Sequence, residues 1–375
     1  MLSEKQVIEI REHLEKAERP VFFYDSDADG LCSFLQARRY WDAKVRRERQ
    51  HLGHLEAQES QDFQGGEGHA VRGEERDLPE RLARRAEGAD YVFVFDVYSL
   101  SEDFVRVMKE LDVPVVWVDH HAVEDYGFDL DQKPEKLLVY KPTEDIPGGW
   151  PPISYEMSRV VDRKEDLWVG MMGCVADYYL PSFSGDFIEQ WPEMWAEGEV
   201  KTPFDVYYGS EIGEIAQVLG FGLKASESEV KEMQGFLVGC SGPDVVLGSG
   251  SEKMSWRRTA EGIRKRFEEL VSDSLETRSG NLVFFVGEDK LSMSSILSNK
   301  VKWMSPSETV VVIGNTKSEG VAFSMRGNGV KKILGSVLKD LGVGRGGGHP
   351  DAVGAFVPHE KVEEFHELLQ KEVGA

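Results

Sequence analysis

Residues 21–30 read VFFYDSDADG, in which an apolar run passes directly into an acidic turn. The apolar run 21–24 predicts a buried strand, and apolar residues at helical spacing predict a helix over 31–40. A strand, an acidic turn and a helix in this order are typical of α/β proteins with a parallel sheet and helices on both faces.

Two further predicted strands also end in polar residues. The apolar run 91–95 is followed by Asp96, and the run 115–118 is followed by Asp119-His120-His121. Because ligands of parallel sheets bind beyond the carboxyl ends of the strands, these residues and the acidic turn are expected to meet at one edge of the sheet.

The rest of the pattern predicts two domains. Residues 44–77 are rich in Arg, Glu, Gln and Gly, and we interpret them as a surface excursion or mobile loop. Residues 240–256 are rich in Gly and Ser, which indicates a linker. The predicted organisation is a metal-binding domain at 1–240 with a helical extension at about 153–240, a linker at 241–257 and a smaller α/β domain at 258–375.

The composition disfavours several classes of protein. Hydrophobic residues make up 41% of the 375 residues, which disfavours a disordered chain. The formal net charge of −23 disfavours non-specific binding to duplex nucleic acid, because polyanions are repelled. The sequence has no apolar run of membrane-spanning length, no signal-peptide pattern and three scattered cysteines, so we expect a cytoplasmic protein with no membrane partner.

The acidic turn places Asp25, Asp27 and Asp29 at alternate positions before Gly30. Their mutual repulsion would raise their pKa values or open the turn unless a cation lies between them. Divalent cations prefer carboxylate oxygens, so the turn is a candidate metal site, and an exposed acidic turn is the alternative. An EF-hand is disfavoured, because the turn lacks the terminal bidentate Glu of that motif.

Asp177 adds a lone acid to the apolar helical stretch MMGCVAD at 171–177, where an unpaired buried charge would be costly. Together the candidate residues supply about five carboxylates and one or two imidazoles, which is the ligand set of a two-metal site. Mixed ligands of this kind favour Mn²⁺ over Ca²⁺ and leave Mg²⁺, Co²⁺ and Fe²⁺ open. Taken singly, Asp96 could be a turn or cap residue and the adjacent histidines could be packing residues.

These residues resemble the motifs of a known family. Asp27-Ala28-Asp29-Gly30, Asp96, Asp119-His120-His121 and Asp177 stand in the order and spacing of the four DHH phosphoesterase motifs. Gly346-Gly347-Gly348-His349, with Ser324-Met325-Arg326 before it, resembles the DHHA1 domain that follows the catalytic domain in RecJ-like exonucleases and in nanoRNA or cyclic-dinucleotide phosphodiesterases. The resemblance covers nearly the whole chain. It implies a parallel-sheet DHH domain, a smaller α/β DHHA1 domain and an active-site cleft between the two.

The resemblance also implies a metal ligand set. Asp27 would bind one metal and Asp29 the other, Asp96 would bridge both, and His120 and Asp177 would complete the shell of the second metal. Relatives in related subfamilies carry a histidine where this chain has Phe23. RecJ-like members have an acid at the position of Asp25, so Asp25 is the expected substitute ligand.

His121 and Asp119 are the expected catalytic pair. By the same resemblance, His121 would lie beside the metals, either as a ligand or in a position to act on the scissile phosphate.

The expected substrate-binding residues lie near the C-terminus. Between 324 and 350 the chain has five basic residues and one acid, although its net charge is −23. Residues 342–349 are predicted to form a flexible loop whose glycines let backbone N–H groups approach phosphate oxygens, and a plain turn on a solvated basic face is the alternative. By resemblance, the residues that would contact the nucleotide are Ser324, Arg326, Arg345, Gly346, Gly347, Gly348 and His349.

The sequence thus predicts a metal-dependent phosphodiesterase that hydrolyses single-stranded RNA or DNA, or short oligonucleotides, to mononucleotides. One alternative is a phosphatase of cyclic dinucleotides or nucleotide phosphates. Another is a catalytically weak DHH scaffold in a replication or repair complex, and a homodimer or replication and repair partners stay open.

Overall fold

The computed structural model describes residues 1–51, 65–72, 77–121, 133–141, 150–288 and 290–374. The chain divides into two compact units, Met1–Ala260 and Glu261–Ala375. The stretch predicted as a linker, 241–257, lies in the first unit, where it includes the short 3₁₀ turn Pro243–Val245. In the described part of the chain, every helix is too short or too polar to cross a membrane.

The first unit is built on a sheet of five parallel strands. In chain order its helices and strands are α1 (Glu4–Lys16), β1 (Pro20–Asp25), α2 (Ala28–His51), β2 (Glu67–Val71), β3 (Asp77–Leu78), α3 (Glu80–Ala83), β4 (Tyr91–Phe95), β5 (Ser99–Leu100), α4 (Glu102–Glu110), β6 (Val115–Val118), β7 (Leu137–Tyr140), α5 (Ile153–Val161), α6 (Leu167–Ala176), α7 (Ser184–Gln190), α8 (Pro203–Gly209), α9 (Glu211–Gly222), α10 (Glu227–Gly239) and the start of α11 (Ser255–Glu276). The strands lie in the order β2-β1-β4-β6-β7, and β3 pairs separately with β5.

Helices cover both faces of this sheet, because successive side chains of a strand point to opposite sides. Phe23 of β1 packs edge-on against Phe104 of α4, with ring centroids 5.7 Å apart. Phe22 points to the other face, where it contacts Phe34 of α2 at 5.5 Å. The prediction of a parallel sheet between two layers of helices is therefore confirmed.

The interpretation of 44–77 as an irregular loop is wrong for the two ends of that range. Helix α2 continues to His51, and 67–71 form the edge strand β2, which pairs in parallel with β1. The strand EGHAV has no long apolar run, so its stability comes from pairing with β1 rather than from local preference. Residues 52–64 and 73–76 of this range lie outside the described residues.

The second unit is a smaller α/β unit, as predicted, and its sheet is mixed. It contains the rest of α11, β8 (Leu282–Gly287), α12 (Ser294–Met304), β9 (Val310–Thr316), β10 (Gly320–Arg326), α13 (Val330–Leu341), β11 (Arg345–His349), β12 (Ala352–Pro358) and α14 (Val362–Val373). The strands lie in the order β11-β12-β10-β9-β8, and only the described pair β8–β9 is parallel. Helices α13 and α14 bury the sheet face that carries Phe323 and Met325, which leaves Ser324 on the face of α12.

Candidate metal centre

Polar residues follow the carboxyl ends of four neighbouring strands of the first sheet. Asp25 ends β1, and Asp96, Asp119 and Lys141 come directly after β4, β6 and β7. The strand ends are in register, because Tyr24 pairs with Phe95, Phe95 with Val118, and Val118 with Tyr140. One edge of the sheet therefore carries all four side chains.

The acidic turn is held in place by its own backbone. The Ser26 N–H donates to Asp25 Oδ1 at 2.8 Å, and the Gly30 N–H donates to Asp27 Oδ1 at 2.9 Å, which caps the first turn of α2. A Cβ atom at Gly30 would lie 2.4 Å from the Asp25 carbonyl oxygen, so only glycine allows this close approach. The turn thus fixes the carboxylates next to one another.

Asp29 is buried and bound to a second helix. Its two carboxylate oxygens accept hydrogen bonds from the Ile153 and Ser154 N–H groups, each at 2.8 Å. These groups lie in the first turn of α5, where the helix dipole favours a negative charge. Asp29 therefore joins the acidic turn to the helical extension, and its remaining lone pairs face His120 and Asp177.

Asp96 has the least satisfied carboxylate of the described residues in this cluster. Asp96 is 2% exposed, and its backbone is in the left-handed region with φ 59°. Its Oδ1 atom has no hydrogen-bond partner among the described residues. That oxygen lies 3.3 Å from His120 Nε2 and 3.7 Å from His121 Nδ1. A buried oxygen of this kind costs free energy unless a proton or a cation binds it.

The ligand atoms fall into three overlapping groups, and within each group the atoms lie within 4.8 Å of one another. The groups are Asp25, Asp27 and Asp96; Asp29, His120 and Asp177; and Asp96, His120 and His121. Asp96 belongs to two of them, which is the position expected of a ligand shared between two cations.

Asp177 joins the second group from a position that differs from the prediction. It is the residue after α6 rather than a residue within the helix, and 42% of its side chain is exposed. The expectation of a buried charge in an apolar helix is therefore wrong, although Asp177 Oδ2 still lies 4.0 Å from His120 Nε2. The last turn of α6 adds the negative end of its dipole to the acidic cluster.

The acids raise one another's pKa values. Burial, followed by the charges of neighbouring carboxylates, raises the pKa values of Asp27 and Asp96 well above the ordinary value. Burial is also the main reason that the pKa of Asp25 is raised. Desolvation and the charge of Asp29 raise the pKa of Asp177 to about 6. A bound divalent cation would remove this repulsion, so the cluster fits a cation both in charge and in its oxygen and imidazole donors.

Asp119 does not belong to these groups and instead orients His121. It is fully buried, its Oδ1 lies 2.8 Å from His121 Nδ1, and its Oδ2 lies 2.7 Å from Lys141 Nζ. Lys141 in turn lies 4.7 Å from the centre of the Trp117 ring. Burial lowers the pKa of His121, but the carboxylates, Asp119 first among them, outweigh this effect and raise it. Because Nδ1 faces a carboxylate, it carries the proton, and Nε2 is left to act as a ligand or a base.

Lys141 was missed in the sequence, although a signal for it exists. It follows the apolar run 137–140 as Asp119 follows 115–118, so the strand-end rule that selected Asp119 also selects Lys141. A lysine is not a metal ligand, so a pattern of acids and histidines does not include it.

Comparison with known proteins agrees with the two-unit description. Residues 281–375 match the DHHA1 domain. No curated protein matches the sequence. Among solved structures, the fold is similar to RecJ of Thermus thermophilus in complex with Mn²⁺, with 16% identity and a TM-score of 0.57 over all of this chain and 55% of that one. This chain therefore spans about half the length of that RecJ.

Two further structures share the fold. An exonuclease RecJ bound to manganese has 15% identity and a TM-score of 0.54, over all of this chain and 95% of that one. The DHH domain of a protein described as a member of a ribosomal protein family has 14% identity and a TM-score of 0.58, over 98% of this chain and 89% of that one. The chain therefore contains a DHHA1 domain at 281–375 and shares its fold with these RecJ and DHH-domain structures.

The DHHA1 domain contains a polar cluster around Arg326. The guanidinium donates to Asn299 Oδ1 at 2.5 Å, to Ser324 Oγ at 3.0 Å and to Ser295 Oγ at 3.0 Å. Ser298 Oγ lies 2.9 Å from Ser324 Oγ and extends the network. The structure thus brings together two of the expected substrate residues, Ser324 and Arg326. Three partners from α12 were missed, because serine and asparagine in a helix carry no specific signal in one sequence.

Most of the glycine-rich segment of the DHHA1 domain is a strand, so the prediction of a flexible loop over 342–349 is wrong for 345–349. Arg345–His349 form the edge strand β11, which pairs antiparallel with β12 and is exposed along its whole length. A Cβ atom at Gly346 would lie 2.7 Å from the Gly354 carbonyl oxygen, and Gly348 has φ 142°, so close pairing of the two strands requires both glycines. Arg345 lies over the Phe356 ring at 4.9 Å.

Phe23 is a core residue. Its ring is fully buried and contacts Phe104 and His69, so this position supplies no metal ligand. Asp25 lies on the same side of β1, two residues on, and its oxygen falls in the group with Asp27 and Asp96.

Proposed function

We propose that this protein is a metal-dependent phosphodiesterase that hydrolyses single-stranded nucleic acid or short oligonucleotides to mononucleotides, with two divalent cations in the acidic cluster. Mn²⁺ is the first candidate, and Mg²⁺ and Co²⁺ are the others. The observation that carries the proposal is the buried Asp96 Oδ1, which has no hydrogen-bond partner among the described residues and lies among carboxylates with raised pKa values.

The three groups of ligand atoms suggest how the cations would be shared. Asp25 and Asp27 would hold one cation, and Asp29, His120 and Asp177 would hold the other. Asp96 would serve both. The similar RecJ structures, one with Mn²⁺, one with Mg²⁺ and one described as an exonuclease bound to manganese, support the choice of metals and of reaction.

Divalent cations at such a site lower the pKa of water and neutralise charge on phosphoryl oxygens. The chain's own residues would orient the reaction. Asp119 holds the proton of His121 on Nδ1, so Nε2 is presented toward the substrate side as a ligand or a proton acceptor. Lys141 Nζ donates to Asp119 Oδ2 at 2.7 Å and offsets part of the cost of burying that carboxylate.

The DHHA1 residues Ser324, Arg326, Arg345 and His349, with the glycines of β11, would bind the nucleotide. The Arg326 guanidinium is held in one plane by Asn299, Ser295 and Ser324, and a fixed guanidinium matches a phosphate group through paired hydrogen bonds. The exposed N–H and C=O groups of the edge strand offer further contacts.

The test is digestion of end-labelled RNA and DNA oligonucleotides with Mn²⁺, Mg²⁺ or Co²⁺ added to chelator-treated protein. We expect release of mononucleotides by the wild type and loss of activity in His120→Ala and Asp119→Ala. His359→Ala serves as the control, because His359 is exposed and contacts only a backbone carbonyl in the described chain. Equal activity in all three variants would reject the site.

Binding of Mn²⁺ by calorimetry gives a second readout that does not depend on turnover. Two sites in the wild type and fewer in His120→Ala support the assignment. Metal binding without hydrolysis of any oligonucleotide would favour the scaffold, and faster hydrolysis of cyclic dinucleotides or nucleotide phosphates than of oligonucleotides would favour the phosphatase.

A further inference from the structure

A second polar site lies beside the edge strand of the first sheet. It is a cavity of about 240 Å³ between β2, the segment formed by α3 and the 3₁₀ turn Arg84–Ala86, and α10. Its walls contain Arg72 and His69 from the region of β2, together with Arg81, Arg85 and Lys231 from the flanking helical segments. None of these residues takes part in the acidic cluster described above.

The cavity is basic although the chain is acidic. Among the described residues that line it, Arg72, Arg81, Arg85 and Lys231 are positive and Glu227 is negative, whereas the chain carries −23 overall. Glu227 pairs with two of these basic side chains. Its Oε1 atom lies 2.5 Å from Arg85 Nη1 and 3.9 Å from Lys231 Nζ. One carboxylate shared by Arg85 and Lys231 leaves these three side chains with a net positive charge that an anion would balance.

His69 adds a buried donor to the same wall. Its side chain is 3% exposed, and its Nδ1 lies 3.1 Å from Arg85 Nη1. Arginine can only donate, so Nδ1 accepts and the proton of the neutral ring is on Nε2. Nε2 has no hydrogen-bond partner among the described residues, and the exposed Glu67 carboxylate lies 3.8 Å from it. Burial and the charge of Arg85 lower the pKa of His69 to about 4, so the ring stays neutral and keeps this arrangement at physiological pH.

The cavity lies close to the acidic edge of the sheet. Val71, the last residue of β2, pairs with Asp25, and the Ser26 N–H donates to the Val71 carbonyl at 2.9 Å. Arg72 is the next residue, and His69 lies two residues before Val71, about 7 Å back along the strand. A molecule that occupies the acidic cluster and extends past β2 would therefore reach the basic wall.

We propose that this cavity binds a phosphate group of the substrate strand away from the bond that is cleaved. The inference rests on the proposed function, because it assigns the phosphate to a strand held at the metal centre. Guanidinium groups match phosphate oxygens through paired charge-assisted hydrogen bonds, and the donors in the cavity wall outnumber the acceptors. A separate inorganic phosphate or nucleotide would present the same chemistry, and the experiment distinguishes the two sources.

The experiment measures binding of a fluorescent single-stranded oligonucleotide by anisotropy, in EDTA, so that turnover plays no part. In Arg85→Gln/Lys231→Gln we expect affinity to fall about tenfold, because hydrogen bonds to a charged group are lost. The slope of log affinity against log salt should also fall by about 0.7, which corresponds to one phosphate contact of a single strand. Lys5→Gln/Lys16→Gln removes the same charge from exposed positions of α1 and should keep the wild-type affinity and slope.

A substitution that removes a negative charge should have the opposite effect on affinity and gives a second test. Glu227→Gln removes the carboxylate that competes for Arg85 and Lys231, so we expect tighter binding of the oligonucleotide than in the wild type. Unchanged affinity in both Arg85→Gln/Lys231→Gln and Glu227→Gln overturns the proposal. A loss of affinity equal to that of the Lys5 and Lys16 control overturns it as well, because it would report only net charge.

Two more arms separate the remaining possibilities. If calorimetry shows inorganic phosphate bound in the wild type and lost in Arg85→Gln/Lys231→Gln, while oligonucleotide binding is the same in both, the cavity is a site for a free anion and the strand proposal is wrong. Oligonucleotide binding that depends on Arg85 and Lys231 supports the cavity even where hydrolysis fails, so failure of the proposed function is a distinct outcome.

Discussion

The two units carry polar clusters that differ in how their charges are balanced. In the first unit the carboxylates of Asp27 and Asp96 have raised pKa values, and Asp96 Oδ1 lacks a hydrogen-bond partner among the described residues. In the DHHA1 domain the Arg326 guanidinium donates to Asn299, Ser295 and Ser324 and to the Met325 carbonyl. The first cluster leaves a buried carboxylate oxygen that a proton or a cation could satisfy, whereas the guanidinium of the second is bound by groups of the chain itself.

This difference predicts opposite responses to substitution. Removing an acid from the first cluster should relieve repulsion in the metal-free protein and abolish metal-dependent activity. Removing a partner from the DHHA1 cluster should leave a partly buried donor unsatisfied and weaken substrate binding. Substitutions in the first cluster should therefore stabilise the metal-free protein while they abolish activity, whereas substitutions in the DHHA1 cluster should weaken both stability and substrate binding.

The largest effect is expected from Asp96→Asn. Activity should fall about a thousandfold, because loss of a shared ligand removes several kcal/mol of transition-state stabilisation. In chelator, the same variant should unfold at a higher temperature than the wild type, because one member of a repelling cluster becomes neutral. The measurements are kcat with saturating Mn²⁺ and thermal unfolding in EDTA.

The matched control is Asp112→Asn. Asp112 also has a left-handed backbone, with φ 55°, but its side chain is 83% exposed and pairs with Lys136 at the surface. It should leave both activity and unfolding temperature near the wild-type values. A metal-free Asp96→Asn that is less stable than the wild type would contradict the description of the first cluster as electrostatically strained.

The next largest effect is expected from Lys141, whose ammonium group pairs with the Asp119 carboxylate. This pair is balanced within the chain, unlike the acidic cluster of the same unit. Lys141→Met should lower kcat about 10–100-fold, the usual range when a residue that orients a metal-site histidine is lost. KM should change little, because Lys141 acts through Asp119 on His121 rather than on the substrate.

Lys141→Arg tests whether the positive charge beside Asp119 is what activity requires. It keeps the charge, so it should restore much of the activity. Lys44→Met is the matched control, because Lys44 is a buried lysine of the same unit that donates to the Ala17 carbonyl. If Lys44→Met and Lys141→Met lose equal activity, the effect of Lys141 is structural, and the chain of contacts from Lys141 to His121 has no catalytic role.

Much of the first cluster could be predicted because its residues follow a topological rule. Asp25, Asp96 and Asp119 each come directly after an apolar run, and parallel strands bring such positions to one edge. The same rule would have found Lys141. The sequence predicts Asp177 as a site residue, because it is an acid in an apolar stretch. It does not predict that Asp177 follows α6, because one sequence fixes helix ends only to within a few residues.

The parts that could not be predicted depend on contacts distant in sequence. Strand β2 lacks an apolar run and is stabilised by pairing with β1, so its sequence resembles a loop. Strand β11 is rich in glycine, which disfavours strands locally, but β12 approaches so closely that other residues would collide. The partners of Arg326 come from a helix about thirty residues away in sequence, and nothing in their identity marks them.

A smaller effect is expected in the DHHA1 domain from Arg326→Lys. Lysine keeps the charge but cannot reach Asn299, Ser295 and Ser324 at once, so KM for an oligonucleotide should rise about tenfold, corresponding to about 1.4 kcal/mol. The kcat value should stay within about twofold, because the metal cluster is intact. Arg278→Lys, which alters an exposed arginine of the same unit, is the control and should change neither constant.

The smallest effect is the pH dependence of the metal-free protein. The pKa values of Asp25, Asp27 and Asp96 are raised in the folded state, and that of Asp177 is raised to about 6. At these four carboxyl groups the folded state therefore holds more protons than the unfolded state above about pH 4, so the stability that they contribute falls as pH rises. We expect the unfolding temperature in EDTA to fall by a few degrees between pH 5 and pH 7.5, since about 1 kcal/mol shifts it by about 2–4 °C in a domain of this size.

Saturating Mn²⁺ should reverse this trend, because cations bind the deprotonated carboxylates and their affinity rises with pH. Asp27→Asn/Asp96→Asn should flatten the profile in EDTA, since both of its strongly shifted groups no longer titrate. An unfolding temperature in EDTA that rises steadily from pH 5 to pH 7.5 would show that the carboxylates are stabilised within the chain. The first unit would then resemble the DHHA1 domain in this respect, and the contrast between the two clusters would be lost.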